Sequence, residues 1–327
     1  MTDPEQLATR LVGGDRRALA QSITLVESTR PDHRSDAAAL LDAVLARTGG
    51  AIRLGITGTP GAGKSTFIEE LGGNLTGAGH RVAVLAVDPS SRRSGGSILG
   101  DKTRMERLAR DPHAFIRPSP SRGSVGGVAR RTREAALLCE AAGFDVIVVE
   151  TVGVGQSEVA VADMVDCFCL IVAPGAGDEL QGIKRGIVEL ADVLVVNKAD
   201  GDLLPAARRA IADHRQAVHL LRPKDAGWEV PVLATSALEG AGVDEVWRAV
   251  EKFVAHLRED DALERLRAGQ AVAWMWDEIR ERLIDSFRHD PRVAERWGDA
   301  EGAVRAGRVS PTTAARGLLE AHGVDDG

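Results

Sequence analysis

The sequence has few cysteines, no excess of positive charge and no long apolar run. Three cysteines in 327 residues exclude a disulfide framework and are typical of a reducing compartment. The net charge is −7, whereas a general nucleic-acid binder needs a basic surface. No apolar run reaches the roughly 18 residues of a membrane helix, and the opening MTDPEQLATR is too polar for a signal peptide. We therefore expect a cytoplasmic protein.

The first 50 residues are predicted to form an N-terminal helical extension. Apolar side chains recur at spacings of three and four between Arg16 and Thr29, which is typical of a helix. Pro31 is expected to stop this helix. A second helical run is predicted from Asp36 to Arg47, before a pair of glycines.

Residues 51–256 alternate short apolar runs with helical patterns. The runs are continuous, as in strands that are buried on both faces of a parallel sheet. They are Ile52–Thr57, Val82–Val87, Phe144–Val149, Cys167–Val172, Val193–Val196 and Val232–Ala234. The helical stretches between them favour right-handed crossovers. The expected fold is an α/β domain with a mostly parallel central sheet flanked by helices.

Residues 257–327 lose this alternation and are predicted to form a C-terminal helical arm. One helical face of Ala271–Phe287 is apolar and includes Trp276. Ser310 and Pro311 match a helix N-cap followed by proline in the first turn. The apolar face has two interpretations, packing on its own domain or on a second copy, and tryptophan is frequent at interfaces.

A phosphate-binding loop is predicted between the first strand and the helix that follows it. The stretch GTPGAGKS begins at Gly58 and fits the P-loop pattern in its required context. Its glycines let the backbone wrap phosphates, and the helix N-terminus adds a partial positive charge. Lys64 is expected to reach the β- and γ-phosphates, and the Ser65 hydroxyl to bind Mg²⁺. The predicted nucleotide-binding residues of this loop are Gly58, Pro60, Gly61, Ala62, Gly63, Lys64, Ser65 and Thr66.

A second element for the metal and the γ-phosphate is predicted after the strand that ends at Val149. A P-loop enzyme needs an acidic residue at this position to hold the metal, usually through water, and Glu150 fits that role. Gly153 would let a backbone amide approach the γ-phosphate. Small signalling GTPases commonly carry a water-orienting glutamine after this glycine, but Val154 stands here. We therefore expect slow unaided hydrolysis.

The stretch NKAD, which begins at Asn197, predicts recognition of guanine. The Asp200 carboxylate can accept hydrogen bonds from guanine N1–H and the 2-amino group, and adenine has neither donor. A site built on such buried hydrogen bonds discriminates by about 10⁴–10⁵. Asn197 is expected to brace the loop, and the Lys198 stem to cover the base. The last strand leads into a loop where backbone amides meet the guanine oxygen, with Ser236, Ala237 and Leu238 as the predicted contacts.

A long polar stretch follows the second strand, and such segments are often functional. Asp88 stands where a strand tip meets the phosphates and would orient water or bind metal-bound water, and Asp101 is a second candidate. The arginines at 92, 93 and 104 would neutralise charge on the γ-phosphate. A solvated loop is an equally good interpretation for each arginine.

Two further blocks stand out, ETVGVGQSE at 150–158 and PGAGDELQGIKRG at 174–186. Together with the motifs above, they resemble the methylmalonyl-CoA mutase-associated GTPases, the MeaB/ArgK type. The resemblance runs through about residues 16–256. It implies a homodimer formed through the C-terminal arm. The implied partner is adenosylcobalamin-dependent methylmalonyl-CoA mutase. The implied function is to gate the loading of cofactor onto that enzyme and to protect or reactivate it. Asp88, Asp101 and Glu150 match family positions near Mg²⁺ and the γ-phosphate. Lys184 matches a mobile segment linked to partner-stimulated hydrolysis.

Two other functions stay open at this stage. One is a kinase that passes the γ-phosphate to a protein, in connection with amino-acid transport, although the sequence has no H-R-D catalytic loop. The other is a metallochaperone, since some related GTPases carry clustered cysteines or a histidine-rich tail. Here Cys167 and Cys169 lie in an apolar run and are expected to be buried, and the histidines are scattered.

Overall fold

The computed structural model describes residues 3–28, 30–87, 105–118, 125–151, 157–175, 185–221 and 224–324. The chain divides into two compact units, residues 1–270 and 271–327. Within the described ranges, no helix has both the length and the apolar character that a bilayer crossing requires.

A seven-stranded sheet forms the centre of the first unit. Its order is β3-β2-β4-β1-β5-β6-β7, and every described strand pair is parallel. The strands are β1 (Ile52–Gly58), β2 (Val82–Val87), β3 (Ala114–Pro118), β4 (Val146–Thr151), β5 (Cys167–Val172), β6 (Val193–Val196) and β7 (Val232–Ala234). The predicted parallel α/β fold is confirmed, and the continuous apolar runs are buried because both faces of the sheet are covered.

Strand β3 was not among the predicted strands, and β4 begins at Val146 rather than Phe144. The short β3 contains Arg117 and Pro118. Among the described strands it pairs with β2 alone, and an edge strand tolerates such residues. The N–H of Phe144 donates to the carbonyl of Cys139 at 3.1 Å, closing the preceding helix. That bond makes Phe144 part of a helix end rather than the start of the strand.

Helices cover both faces of the sheet and form an α/β/α sandwich. On one face, α4 and α10 pack against alternate residues of the strands. On the other face, α1–α3, α6 and α7 enclose a second core. The helices of this unit are α1 (Pro4–Val12), α2 (Arg16–Val26), α3 (Pro31–Val44), α4 (Lys64–Gly77), α5 (Glu106–Arg110), α6 (Val125–Ala141), α7 (Ser157–Ala162), α8 (Arg185–Leu190), α9 (Leu204–His219) and α10 (Val243–Glu259).

The N-terminal helices differ from the prediction at Pro31. Helix α2 ends at Val26, and Pro31 is the first residue of α3 rather than a stop signal. Proline suits this position because its missing N–H would be unpaired in the first turn and its φ is already helical. Helix α3 therefore begins five residues before the predicted Asp36.

The second unit consists of helices. Helix α11 (Ala262–His289) runs from the end of the first unit into the second, followed by α12 (Pro291–Arg305) and α13 (Pro311–His322). The predicted N-cap at Ser310 is confirmed, because its hydroxyl accepts from the N–H of Thr313 at 3.2 Å. Six apolar side chains of α11 are exposed, and they are Val272, Met275, Trp276, Ile279, Leu283 and Ile284.

Candidate nucleotide-binding site

The predicted motifs meet at one edge of the sheet. Parallel strands end at the same edge, which is where open α/β sheets bind their ligands. Strand β1 leads into the phosphate loop, and β4 ends with Glu150 and Thr151. Strands β6 and β7 end before Asn197 and Thr235. Residues far apart in the sequence are therefore brought together.

Two positions of the phosphate loop require glycine. A Cβ at Gly58 would lie 2.0 Å from the carbonyl oxygen of Ile171 on β5. At Gly63 the φ is +89°, and a Cβ would lie 2.5 Å from Nδ2 of Asn197. The loop can pass this close to its neighbours only without side chains at these positions.

Lys64 is the first residue of α4 and bends back over the loop. Its Nζ donates to the carbonyl oxygens of Gly58 at 2.7 Å and of Thr59 at 3.2 Å. The residue is buried although its side chain is charged. The loop therefore holds an ammonium group at the N-terminus of a helix, an arrangement that favours phosphate.

Ser65 and Glu150 bring a hydroxyl and a carboxylate together. The Ser65 hydroxyl donates to Oε1 of Glu150 at 3.1 Å, and Glu150 is 7% exposed. Beside them, the hydroxyls of Thr57 and Thr151 share a buried hydrogen bond of 2.7 Å, which links the tips of β1 and β4. Hydroxyl and carboxylate oxygens are the hard ligands that Mg²⁺ prefers, so the donor set fits this ion.

Asn197 joins the phosphate loop to the loop after β7. Its Nδ2 donates to the carbonyl of Ala62 at 2.9 Å. Its Oδ1 accepts from the Thr235 hydroxyl at 3.1 Å and from the N–H of Ala237 at 3.0 Å. All three of these hydrogen bonds are buried, so the two loops form one rigid support.

The Asp200 carboxylate lies beside Ser236. The Ser236 hydroxyl donates to Oδ2 of Asp200 and accepts from the N–H of Glu239 at 3.2 Å. Lys198 is exposed with a φ of +59°, and Leu238 is 85% exposed. The Ser236 hydroxyl thus orients the Asp200 carboxylate, and the side chains of Lys198 and Leu238 remain accessible to a base.

The structure brings together all the predicted site residues that it describes. Pro60 and Thr66 are exposed at the loop and on the first turn of α4. Asp88, Asp101, Gly153 and Lys184 lie outside the described residues. The prediction missed the hydroxyls of Thr57 and Thr151. A threonine at the end of an apolar strand is the signal that would have found them. The arginines at 92, 93 and 104 also lie outside the described residues.

The three cysteines are buried. Burial raises the pKa of the Cys169 thiol to about 12 and raises those of Cys139 and Cys167 as well. These thiols stay protonated at neutral pH, and the thiolate is the form that binds metal. Among the described residues, no group of three or more His, Cys, Asp or Glu side chains is arranged to hold a metal ion.

The fold and the site define a class. The parts of a P-loop GTPase lie along the same edge of the sheet. They are a glycine loop that leads into Lys64 and Ser65, an acidic residue at a strand tip and an NKxD loop. The chain matches the family model described as methylmalonyl Co-A mutase-associated GTPase MeaB over residues 19–292, and it belongs to this family. It is therefore a GTP-hydrolysing P-loop enzyme.

Relatives match along nearly the whole chain. A protein of Caulobacter vibrioides named as a GTPase is 57% identical over 98% of each chain. The methylmalonic aciduria type A homolog of Mus musculus, named as mitochondrial, is 50% identical over 97% of this chain and 79% of its own length. A solved structure of a LAO/AO transport system kinase is 42% identical, with a TM-score of 0.76 and coverage of 97% of this chain and 96% of that one.

Proposed function

We propose that this GTPase is a chaperone of adenosylcobalamin-dependent methylmalonyl-CoA mutase that gates cofactor loading and protects or reactivates the enzyme. The observation that carries the proposal is the match to the mutase-associated family over residues 19–292. The similarity to the mouse methylmalonic aciduria type A homolog supports it. The proposed location is the cytoplasm, as the sparse cysteines suggest.

Hydrolysis in this site would depend on positioning and charge, with no covalent intermediate. Lys64 would reach the β- and γ-phosphates of bound GTP, and the helix N-terminus behind it would add to the positive potential. Ser65 and Glu150 would hold Mg²⁺, and the bound ion would neutralise negative charge on the phosphates. Asp88, Asp101, Gly153 and Lys184 are proposed, from the family resemblance, to complete the γ-phosphate side.

The role of Glu150 predicts a specific change in the metal requirement. Glu150→Gln keeps the size and one acceptor for Ser65 but removes the charge that attracts the ion. We expect the Mg²⁺ concentration for half-maximal GTP turnover to rise about 10- to 100-fold, the value of one charged hydrogen bond. A magnesium titration of turnover measures this. Glu251→Gln, at an exposed position of α10, is the control, and an unchanged titration in Glu150→Gln would refute the metal role.

The proposed reactivation activity has a direct test. Mutase inactivated during turnover would be incubated with this protein and GTP, with this protein and GDP, or alone, and adenosylcobalamin would then be added. The proposal predicts that mutase activity returns only with the GTPase present and depends on which nucleotide is bound. Equal recovery in the three samples would contradict it.

The C-terminal arm is proposed to form a homodimer. The exposed apolar side chains of α11 support this, because a large apolar patch on a surface marks an interaction site. The proposed division is an N-terminal extension at 1–50, a GTPase domain at 51–256 and an arm at 257–327.

A charged side chain on the exposed apolar face of α11 should prevent the two subunits from forming the dimer. Leu283 is 61% exposed, and we expect Leu283→Glu to change the native mass from twice 34.6 kDa to 34.6 kDa. Leu220→Glu, at an exposed leucine after α9, is the control and should stay dimeric. Light scattering measures the mass, and a monomeric parent protein would refute the dimer.

One further function is favoured by the similarity to a solved relative. That relative is a LAO/AO transport system kinase, and a kinase would pass the γ-phosphate to a protein. GTP labelled on its γ-phosphate distinguishes the two, because a GTPase releases free phosphate and a kinase labels a protein.

A further inference from the structure

A buried hydrogen bond joins β1 and β4 at the point where their backbone pairing ends. The described pairs of these strands run up to Ile56, which lies opposite Glu150. Beyond this pair, Thr57 is in register with β5 and Thr151 with β2. The hydroxyls of Thr57 and Thr151 are 2.7 Å apart and are buried. These side chains therefore hold the two strand ends together where no described backbone pair does.

The two strand ends flank the crevice in which an open α/β sheet binds its ligand. After β1 the chain enters α4, on one face of the sheet, whereas α7, the helix that follows β4, packs on the other face. Neighbouring strands whose connections leave to opposite faces form a switch point, and ligands bind outside the carboxyl ends of such strands. The Thr57–Thr151 bond therefore lies at the base of the candidate nucleotide site.

Each threonine is next in sequence to a group of this site. Thr57 precedes Gly58, whose carbonyl accepts from the ammonium group of the phosphate loop at 2.7 Å. Thr151 follows Glu150, whose Oε1 accepts from the Ser65 hydroxyl at 3.1 Å. Because successive side chains of a strand point to opposite faces, the threonine hydroxyls lie on the face away from the Glu150 carboxylate. They are placed to set the spacing of the site groups and not to bind the ligand.

Stability alone does not favour two hydroxyls at these positions. Valine has nearly the same shape as threonine and is common in buried strands. Replacing both partners of a buried hydrogen bond with apolar groups of the same shape is nearly neutral for stability. The hydroxyls add geometry, because a hydrogen bond has a narrow range of distance and angle.

We propose that Thr57 and Thr151 are positioning residues of the GTPase site. Their hydrogen bond holds the end of β4, and with it the Glu150 carboxylate, at a fixed distance from the phosphate loop, so that Ser65 and Glu150 reach the same Mg²⁺ ion. The inference rests on the proposed role of Ser65 and Glu150 in binding that ion. Loss of either threonine hydroxyl then weakens Mg²⁺ binding and leaves nucleotide binding without the metal unchanged.

The test removes the hydroxyls one at a time and together. Thr57→Val and Thr151→Val each delete one hydroxyl, and the double variant leaves neither of them buried without its partner. Thr151→Ser keeps the hydroxyl and is the rescue variant. Thr76→Val is the matched control, because it deletes a buried hydroxyl at the far end of α4, where Thr76 donates to the carbonyl of Gly73 at 3.2 Å.

Two binding measurements separate the metal from the nucleotide. In the first, Mg²⁺ is titrated by calorimetry into each variant that has been saturated with a non-hydrolysable GTP analogue. In the second, the affinity for GDP is measured in the presence of a chelator. A variant that binds GDP as the parent protein does is folded at the site, so a change in the first measurement then concerns the metal.

We expect each single valine variant to bind Mg²⁺ about 3- to 10-fold more weakly than the parent protein, the value of one hydrogen bond. The double variant should show the same shift as either single variant, because each change breaks the same bond. Thr151→Ser and Thr76→Val should bind Mg²⁺ as the parent protein does. The affinity for GDP in the presence of the chelator should be unchanged in all of them.

Parental Mg²⁺ affinity in Thr151→Val would overturn the inference, as would a double variant in which the two single shifts multiply. An equal loss of GDP affinity in the presence of the chelator would also overturn it. Glu150→Gln in the same titration tests the proposed function separately. If Glu150→Gln weakens Mg²⁺ binding and the valine variants do not, the metal site stands and the inference is wrong. If Glu150→Gln leaves Mg²⁺ binding unchanged, the metal role of Glu150 is wrong, and the positioning role falls with it.

Discussion

Lys64→Ala is expected to abolish tight GTP binding and leave the fold intact. The ammonium already lies over the phosphate loop, where it is hydrogen bonded to two carbonyl oxygens. Removing one partner of a buried charged contact costs about 2–5 kcal/mol, which corresponds to an affinity loss of about 30- to 4,000-fold. Alanine is a good helix former at the start of α4, so the helix itself should persist. Calorimetric titration with GTP in the presence of Mg²⁺ measures the change.

The control for this variant is Lys252→Ala, which removes an exposed lysine from α10. It should bind GTP as the parent protein does. Circular dichroism of both variants should match that of the parent, which would separate a lost site from a lost fold. Unchanged GTP affinity in Lys64→Ala would refute the assignment of the phosphate loop.

Asp200→Asn is expected to change which base the site prefers. The carboxylate would accept from two guanine donors, and the Ser236 hydroxyl orients it. Asparagine replaces one acceptor with a donor, which faces the guanine 2-amino group unfavourably. We expect the affinity for GTP to fall about 10- to 100-fold, the value of one hydrogen bond to a charged group. Xanthine carries a carbonyl in place of the 2-amino group, so the variant should bind xanthosine triphosphate better than the parent does.

Competition between labelled GTP and unlabelled GTP, ATP or xanthosine triphosphate measures this preference. Asp202→Asn is the matched control, because Asp202 is exposed two residues further along the same loop. It should keep the preference for GTP. If Asp200→Asn selected GTP over ATP by the same ratio as the parent protein, the base-recognition assignment would be wrong.

The main strands and the motif loops could be predicted because their signals are local. Continuous apolar runs identified β1, β2, β5, β6 and β7, and turn chemistry identified the phosphate loop. Strand β3 was missed because its apolar run ends after three residues, where Arg117 and Pro118 follow at the edge of the sheet. Pro31 was misread because proline both ends one helix and begins another, and only the position of the turn distinguishes these cases.

The contacts that hold the site together could not be predicted from the sequence. Asn197 bonds to Ala62, 135 residues away, and to Thr235, 38 residues away. The NKxD motif predicted a bracing role for Asn197 but not its partners, since those depend on strand order. Glu69 shows the same limit, because its Oε1 accepts from the N–H of Arg107, 38 residues further along the chain, and an ordinary helical glutamate gives no local signal.

The most direct test of the account measures GTP turnover with and without purified adenosylcobalamin-dependent methylmalonyl-CoA mutase, with ATP as the control nucleotide. The missing glutamine after Gly153 predicts slow turnover by the protein alone. The account predicts that the mutase accelerates release of phosphate from GTP strongly and from ATP not at all. Turnover of GTP that the mutase leaves unchanged would contradict the chaperone function, and equal turnover of ATP would contradict the guanine site.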